Sequence, residues 1–106
     1  MLVYKRKRYI KTQRERKSPK QLERHFKGIA NHHRIEILFL IADNKGIILD
    51  TIAEKLDCNV KTISEHTRRL VQAGLIRKKY IGHNVEHELS PYGKTFYSFI
   101  NKFSNS

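Results

Sequence analysis

The sequence predicts a mainly α-helical domain with one small β hairpin. Three observations carry that expectation. Apolar residues recur at three- and four-residue spacing as far as Ala73. The pattern then changes to alternation around Gly82-His83-Asn84. A Ser-Pro pair stands near each end, at Ser18-Pro19 and Ser90-Pro91. Periods of 3.6 and 2 separate helix from half-buried strand, and Ser followed by Pro is a helix-start signal.

In the first helix, Gln21 stands three residues after Ser18 and can complete a capping box. Leu22, Phe26, Ile29 and Ala30 form the apolar stripe. Asn31 breaks and re-caps the chain. A second helix is expected over 32–43, with Arg34, Ile35, Leu38, Phe39 and Ala42 on its stripe, ending in Asp43-Asn44-Lys45-Gly46. Ile47-Ile48-Leu49 reads as a short strand or extended lead-in. The third helix turns Leu49, Ile52, Ala53 and Leu56 inward and Asp50, Thr51, Glu54 and Lys55 outward, and Asp57-Cys58-Asn59 makes the turn.

Asn59 caps the fourth helix, which runs to Ala73 with Gly74 as its stop. Ile63, Thr67, Leu70 and Val71 share one face with Val60, while Lys61, Thr62, Ser64, Glu65, Arg68, Arg69 and Gln72 lie on the polar side. Leu75–Ile81 and Val85–Leu89 form the hairpin, with Ile76, Val85 and Leu89 inward and Arg77, Lys79, Glu86 and Glu88 outward. The last helix carries Tyr92, Phe96, Phe99, Ile100 and Phe103 on one stripe, with Tyr97 beside it. Two helices joined by a tight turn, a hairpin directly after, and a helix on either flank make a winged helix-turn-helix.

The chain has 106 residues, enough for one domain and able to bury roughly two-thirds of its unfolded surface. Lys and Arg number 22 against 10 acidic residues, a net charge of +12, which points to a polyanion partner. The first twenty residues hold nine basic side chains and one acid, +8 of that total. Residues 1–17 therefore read as a basic arm, expected to be mobile without a partner, and 18–106 as the folded domain. Lys5, Arg6, Lys7 and Arg8 suit phosphate tracking or a minor groove, though a solubilising tail has the same composition. The polar face of the fourth helix carries donors and acceptors for base edges and phosphates, as does any amphipathic surface helix. Lys61, Thr62, Ser64, Glu65 and Arg68 are the candidates for the major groove. Arg69 and the wing residues Lys78, Lys79, His83 and Asn84 are candidates for phosphates or the minor groove.

A single Cys excludes an internal disulfide and fits a reducing, cytoplasmic setting. No apolar run reaches the roughly 20 residues of a membrane span, and MLVYKRKRYI lacks the apolar segment of a secretory signal. Neither a Gly-rich phosphate loop nor a nucleophile–base or paired-carboxylate arrangement supports an enzyme.

Ile29-Ala30-Asn31-His32-His33-Arg34-Ile35-Glu36-Ile37-Leu38 resembles the opening segment of the ArsR-like (arsenical-resistance-regulator) repressors of bacteria and archaea. Leu49 to Leu56 resembles their first helix-turn-helix helix. Val60 to His66, running on to Ala73-Gly74-Leu75-Ile76, is similar to their recognition helix and strand entry. Leu89-Ser90-Pro91-Tyr92-Gly93-Lys94 is similar to a helix start common to winged-helix regulators, and MarR-like regulators share part of the pattern. The resemblance covers about residues 22–103 and implies a repressor that binds operator DNA in the prokaryotic cytoplasm or nucleoid. It also implies a homodimer formed through the first and last helices. Aromatic density in the last helix points the same way, since a large exposed apolar patch marks a partner surface. Leu22, Phe26, Tyr92, Phe96, Phe99 and Phe103 are the candidates, with Phe96 and Ile100 also fit to close the core.

The family's metal-binding patterns are absent: the first helix-turn-helix helix has no Cys-x-Cys, and the last helix has Tyr, Phe and Ser where ligands would stand. Cys58 reads as a small packed residue. His25, His32 and His33 could gather, but adjacent histidines point to different faces of a helix. His83 and His87 read as wing residues, solvated, phosphate-facing or metal-bound, and His66 as a packing residue. No metal or other cofactor is expected. Glu65 stands where the family often has Arg. It is repelled by phosphates, but can accept from cytosine N4 or pair with Arg68 or Arg69. Two other readings stay open: a sequence-indifferent nucleic-acid module driven by the arm, and a protein-interaction module.

Overall fold

Four of the five described helices begin at a side chain that satisfies a backbone amide. The computed structural model describes residues 16–106. In α1 (Pro19–Ile29), Gln21 N donates to Ser18 Oγ at 3.2 Å and Ser18 N donates to Gln21 Oε1 at 2.8 Å, the reciprocal capping box. Asn31 Oδ1 accepts from His33 N at 2.9 Å and Arg34 N at 3.3 Å and so opens α2 (His32–Asp43). After β1 (Ile47–Ile48) the chain turns directly into α3 (Leu49–Leu56), so Leu49 belongs to the helix rather than to an extended run. Asp57 ends α3 in the left-handed region at φ 52°. Asn59 Oδ1 accepts from Lys61 N at 2.7 Å and opens α4 (Val60–Gln72).

The hairpin is β2 (Ile76–Ile81) and β3 (Asn84–Leu89), followed by α5 (Pro91–Ser104). Ile81 pairs with Asn84, so the turn is the two residues Gly82-His83, and Asn84 begins the return strand instead of lying in the turn. Gly82 has φ 61°, the positive φ that tight hairpin turns require. The short strand β1 adds a third, antiparallel member on the free side of β3, giving the order β1-β3-β2. This is the winged helix-turn-helix expected, its wing anchored to the helical body by β1.

The core is formed by Ile37, Leu38 and Ile41 of α2, Ile52 and Ala53 of α3, Ile63 and Leu70 of α4, and Leu75, Ile76 and Leu89 of the wing base. The expected stripes need correction. In α1, Ile29 is buried together with His25, while Leu22, Phe26 and Ala30 are exposed. In α2 the buried face is Ile37-Leu38-Ile41, and Arg34, Ile35, Phe39 and Ala42 are only half-buried. That helix is apolar on almost every side, so its period marks no single face. Val60 and Val71 of α4 are 43% and 36% exposed, at the edges of the packed face. Val85, expected inward, is half-buried, as are Glu86 and Glu88, expected outward.

His87 is a further correction. It is buried rather than displayed on the wing, and its Nδ1 lies 2.9 Å from the Ile47 carbonyl oxygen, joining β3 to β1. Burial lowers its pKa and outweighs the bond to Ile47, which favours the charged form. Facing a carbonyl, His87 Nδ1 is the donor of this bond, and burial disfavours the charged imidazolium.

The end of α4 is tied down from several directions. The carbonyls of Arg69, Leu70 and Val71 accept from Ala73, Leu75 and Gly74 amides. Beyond them, the Ala73 carbonyl accepts from His25 Nδ1 of α1, and the Gly74 carbonyl accepts from Ser90 Oγ at the start of α5. Ser90 N donates to the Leu75 carbonyl at 3.1 Å, and Ser90 Oγ also accepts from Gly93 N at 3.0 Å. Gly93 is buried here, and a Cβ on it would collide with the Leu75 carbonyl oxygen. Gly93→Ala is therefore expected to destabilise the fold by about 3 kcal/mol, the upper end for overpacking. Gly82→Ala, with open space around it but a positive φ, should cost about 1 kcal/mol. Urea denaturation of the two variants checks this, and equal losses would remove the special role of the Gly93 contact.

Candidate nucleic-acid interface

Packing of α4 against α1, α2, α3 and β2 decides which of its residues face outward. Ile63, Thr67 and Leu70 are buried, and the Thr67 hydroxyl donates to the Ser64 carbonyl at 2.9 Å. Lys61, Thr62, Ser64, Glu65, Arg68 and Arg69 are all exposed, as the sequence predicts. They offer cationic donors, two hydroxyls and one carboxylate on a rigid, capped helix.

Glu65 is engaged with both neighbouring guanidiniums. Arg68 Nε donates to its Oε2 at 3.0 Å, and Arg69 Nε stands 3.4 Å from Oε1. The hydrogen bond from Arg68 holds the Glu65 carboxyl below the usual carboxylate range, and the same bond raises the Arg68 pKa. Such exposed pairs add little to stability. Their consequence is electrostatic, because one carboxylate partly cancels two cations on the face that would meet phosphates.

Lys78, Lys79, His83 and Asn84 are exposed on the wing. Arg77 and Lys79 lie 2.8 and 3.7 Å from the half-buried Glu88 carboxylate. Partial burial raises the Glu88 pKa, but the Arg77 hydrogen bond and the nearby lysines outweigh it, so the net shift is downward. Among the described residues, Lys61 and Lys78 have no carboxylate within salt-bridge distance. Lys5, Arg6, Lys7 and Arg8 lie outside the described residues.

Sequence reasoning missed a second cationic surface. Arg24 and Lys27 of α1 line a cavity of about 230 Å³ together with Gly28, Arg69, Gln72 and Ala73. The helices can approach closely because Gly28 has no Cβ, which would strike the Ala73 side chain. Arg34 adjoins this surface, with Nε donating to the Gly28 carbonyl at 2.6 Å and Nη1 lying 3.2 Å from His66 Nδ1. The signal available in the sequence was Gly28 inside a helix, flanked by Arg24 and Lys27. Desolvation lowers the His66 pKa, and the positive charge of Arg34 lowers it further. His66 is thus half-buried in a polar contact.

The expected partner face is largely open. Phe26 is 52% exposed, Phe99 55% and Phe103 72%, and Leu22 and Tyr92 are exposed as well. Phe96 differs: it is half-buried against the core and meets the Phe26 ring edge-on at 5.2 Å, so it joins the two flanking helices. Ile100 and Tyr97 are likewise half-buried. Cys58 is half-buried, its Sγ 3.3 Å from the Leu56 carbonyl oxygen. Among the described residues, no helix is long and apolar enough to cross a membrane.

The model of the MarR family matches residues 31–80, just under half the chain. No curated protein matches in sequence. A SlyA-like transcription regulator from Listeria monocytogenes superposes with a TM-score of 0.65 at 30% identity, over 76% of this chain and 58% of that one. HlyU from Vibrio cholerae superposes at 0.75 with 21% identity, over 85% and 98%. The homodimeric winged helix-turn-helix DNA-binding domain of a possible ArsR-family regulator from Mycobacterium bovis superposes at 0.74 with 22% identity, over 81% and 80%. The chain spans less than two-thirds of the SlyA-type chains. These likenesses establish the winged-helix fold. The matching family model is that of MarR, which shares part of its pattern with the ArsR-like regulators, and the domain of a possible ArsR-family regulator is among the structural likenesses.

Freeing Arg68 and Arg69 is the expected result of Glu65→Gln. Affinity for duplex DNA should rise, the slope of log K against log salt should steepen by about one, and one base position should lose its preference. Fluorescence anisotropy across a salt series and a set of single-base variants measures all three. Uniform tightening with no position relaxed would remove Glu65 from base readout.

Proposed function

We propose that the protein is a dimeric, sequence-specific regulator of transcription that binds double-stranded DNA, acting as a repressor. The observation that carries this reading is the exposed face of α4, where Lys61, Thr62, Ser64, Glu65 and Arg68 stand on a helix locked into the core behind them. A capped helix with that face fits the major groove. Arg69 and the wing residues Lys78, Lys79, His83 and Asn84 hold the phosphate backbone, and the arm residues Lys5, Arg6, Lys7 and Arg8 add contacts by counterion release. The MarR-family match supports a regulator rather than an enzyme.

Two copies pair through Leu22, Phe26, Tyr92, Phe99 and Phe103, with Phe96 bracing that surface from beneath. The exposed rings support this, since an isolated chain would leave them in water. The M. bovis domain with the same fold is described as homodimeric. One free cysteine fits a reducing cytoplasm.

A sequence-indifferent reading draws on one observation, the concentration of charge in the first twenty residues. Selection of bound duplexes from a random pool at about 150 mM salt, where phosphate-only binding is weakened, separates the two. The expected result is an inverted repeat with half-sites about one helical turn apart, still selected, at lower affinity, after deletion of residues 1–17. Retained DNA without a motif, or complete loss of binding on that deletion, would favour the arm-driven reading.

A further inference from the structure

The start of α2 carries a cluster that the proposed DNA-binding role does not use. His32 and His33 are its first two helical residues, and Glu36 stands four and three positions further on. Both spacings bring side chains together on a helix surface. Adjacent helix positions predict that the two imidazoles diverge, yet their ring centres lie 4.1 Å apart. One ligand atom from each of His32, His33 and Glu36 lies within 4.8 Å of the other two. His25, the third histidine considered with them, is instead buried on the Ala73 carbonyl.

A second observation concerns His33 Nδ1. It is closed off from solvent, has no hydrogen-bond partner, and stands 3.7 Å from Glu36 Oε1. An enclosed polar nitrogen without a partner is unfavourable, and an ion between imidazole and carboxylate would relieve it. We propose that His32, His33 and Glu36 form a binding site for a divalent late first-row metal ion of the zinc, cobalt and nickel class.

The donor set decides that class. Two imidazoles and one carboxylate suit these ions, whereas magnesium and calcium take shells of oxygen and copper(I) prefers thiolate or thioether. His32 and Glu36 are exposed, so water completes the coordination. Among the described residues this is the only such group of three, and residues 1–15 contain neither His nor Cys. Arg34 places a positive charge nearby, its Nη1 3.2 Å from His66 Nδ1. The site also adjoins the proposed reading helix: the His33 ring is 5.5 Å from that of His66 on α4.

Titration of the full chain with zinc chloride by calorimetry, and with cobalt chloride by visible absorption, tests the site. One ion per chain is expected, with cobalt ligand-field bands. His33→Gln and Glu36→Gln should each weaken binding by about tenfold or more, since even an outer-sphere partner carries that much. Asp43→Asn, at the far end of the same helix, should leave it unchanged. Circular dichroism shows whether each variant is folded, and the exposed Glu36→Gln keeps the test open if His33→Gln is not. Zinc affinity equal in the wild type and a folded His32→Gln/His33→Gln double variant, or equal losses from Asp43→Asn and Glu36→Gln, would overturn the proposal.

Discussion

The constraint on which the rest of the structure depends is the disposal of the carbonyl groups where α4 ends. A helix end leaves acceptors without intrahelical donors, and here the end is packed among other elements. Local amides satisfy the first of these carbonyls. The next ones, of Ala73, Gly74 and Leu75, are met by His25 from α1 and by the side chain and amide of Ser90 at the head of α5. One short segment thus links the first helix, α4, the wing and the last helix. Small residues make this possible: Gly28 lets α1 approach Ala73, and Gly93 lets α5 approach Leu75. His25 donates from Nδ1, which leaves its buried Nε2 without a partner beside Tyr92 and Phe96.

Such anchoring matters for the proposed recognition because base readout requires a helix whose side chains are held at a set position and angle. The wing receives similar treatment. β1 and the His87–Ile47 bond attach β3 to the body, while Lys78, Lys79 and the Gly82-His83 turn extend outward. Charge on the exposed faces is moderated as well as displayed. Glu65 and Glu88 each engage two cations, whereas Lys61 and Lys78 have no acidic partner among the described residues. The paired cations must exchange partners to reach phosphates, and the unpaired ones need not.

Much of this was legible in the sequence because capping is local chemistry. Ser18 with Gln21, Asn31, Asn59 and Ser90 each mark a helix start within reach of their own backbone, and all four lie where the pattern put them. Facing was harder. In α2, apolar residues at nearly every position leave the buried face to be chosen by the tertiary neighbours. His87 shows a different failure: alternation with Val85 and Leu89 places it inward, but its residue type argued for the surface. The groove of Arg24, Lys27 and Arg69 and the contact of His32 with His33 depend on helix approach and rotamer choice, which no linear period records. The six dimer candidates combined two roles, and burial separated Phe96 from the other five.

The proposed surface for duplex DNA is the α4 face with the wing, held from behind by the Ala73–Leu75 junction. Amide chemical-shift mapping of the labelled full chain against a selected duplex tests it most directly. Perturbations are expected to concentrate in residues 59–69 and 78–84, with the junction amides of residues 73–75 little changed. Perturbations confined to residues 1–17, with the α4 face and wing unaffected, would contradict it.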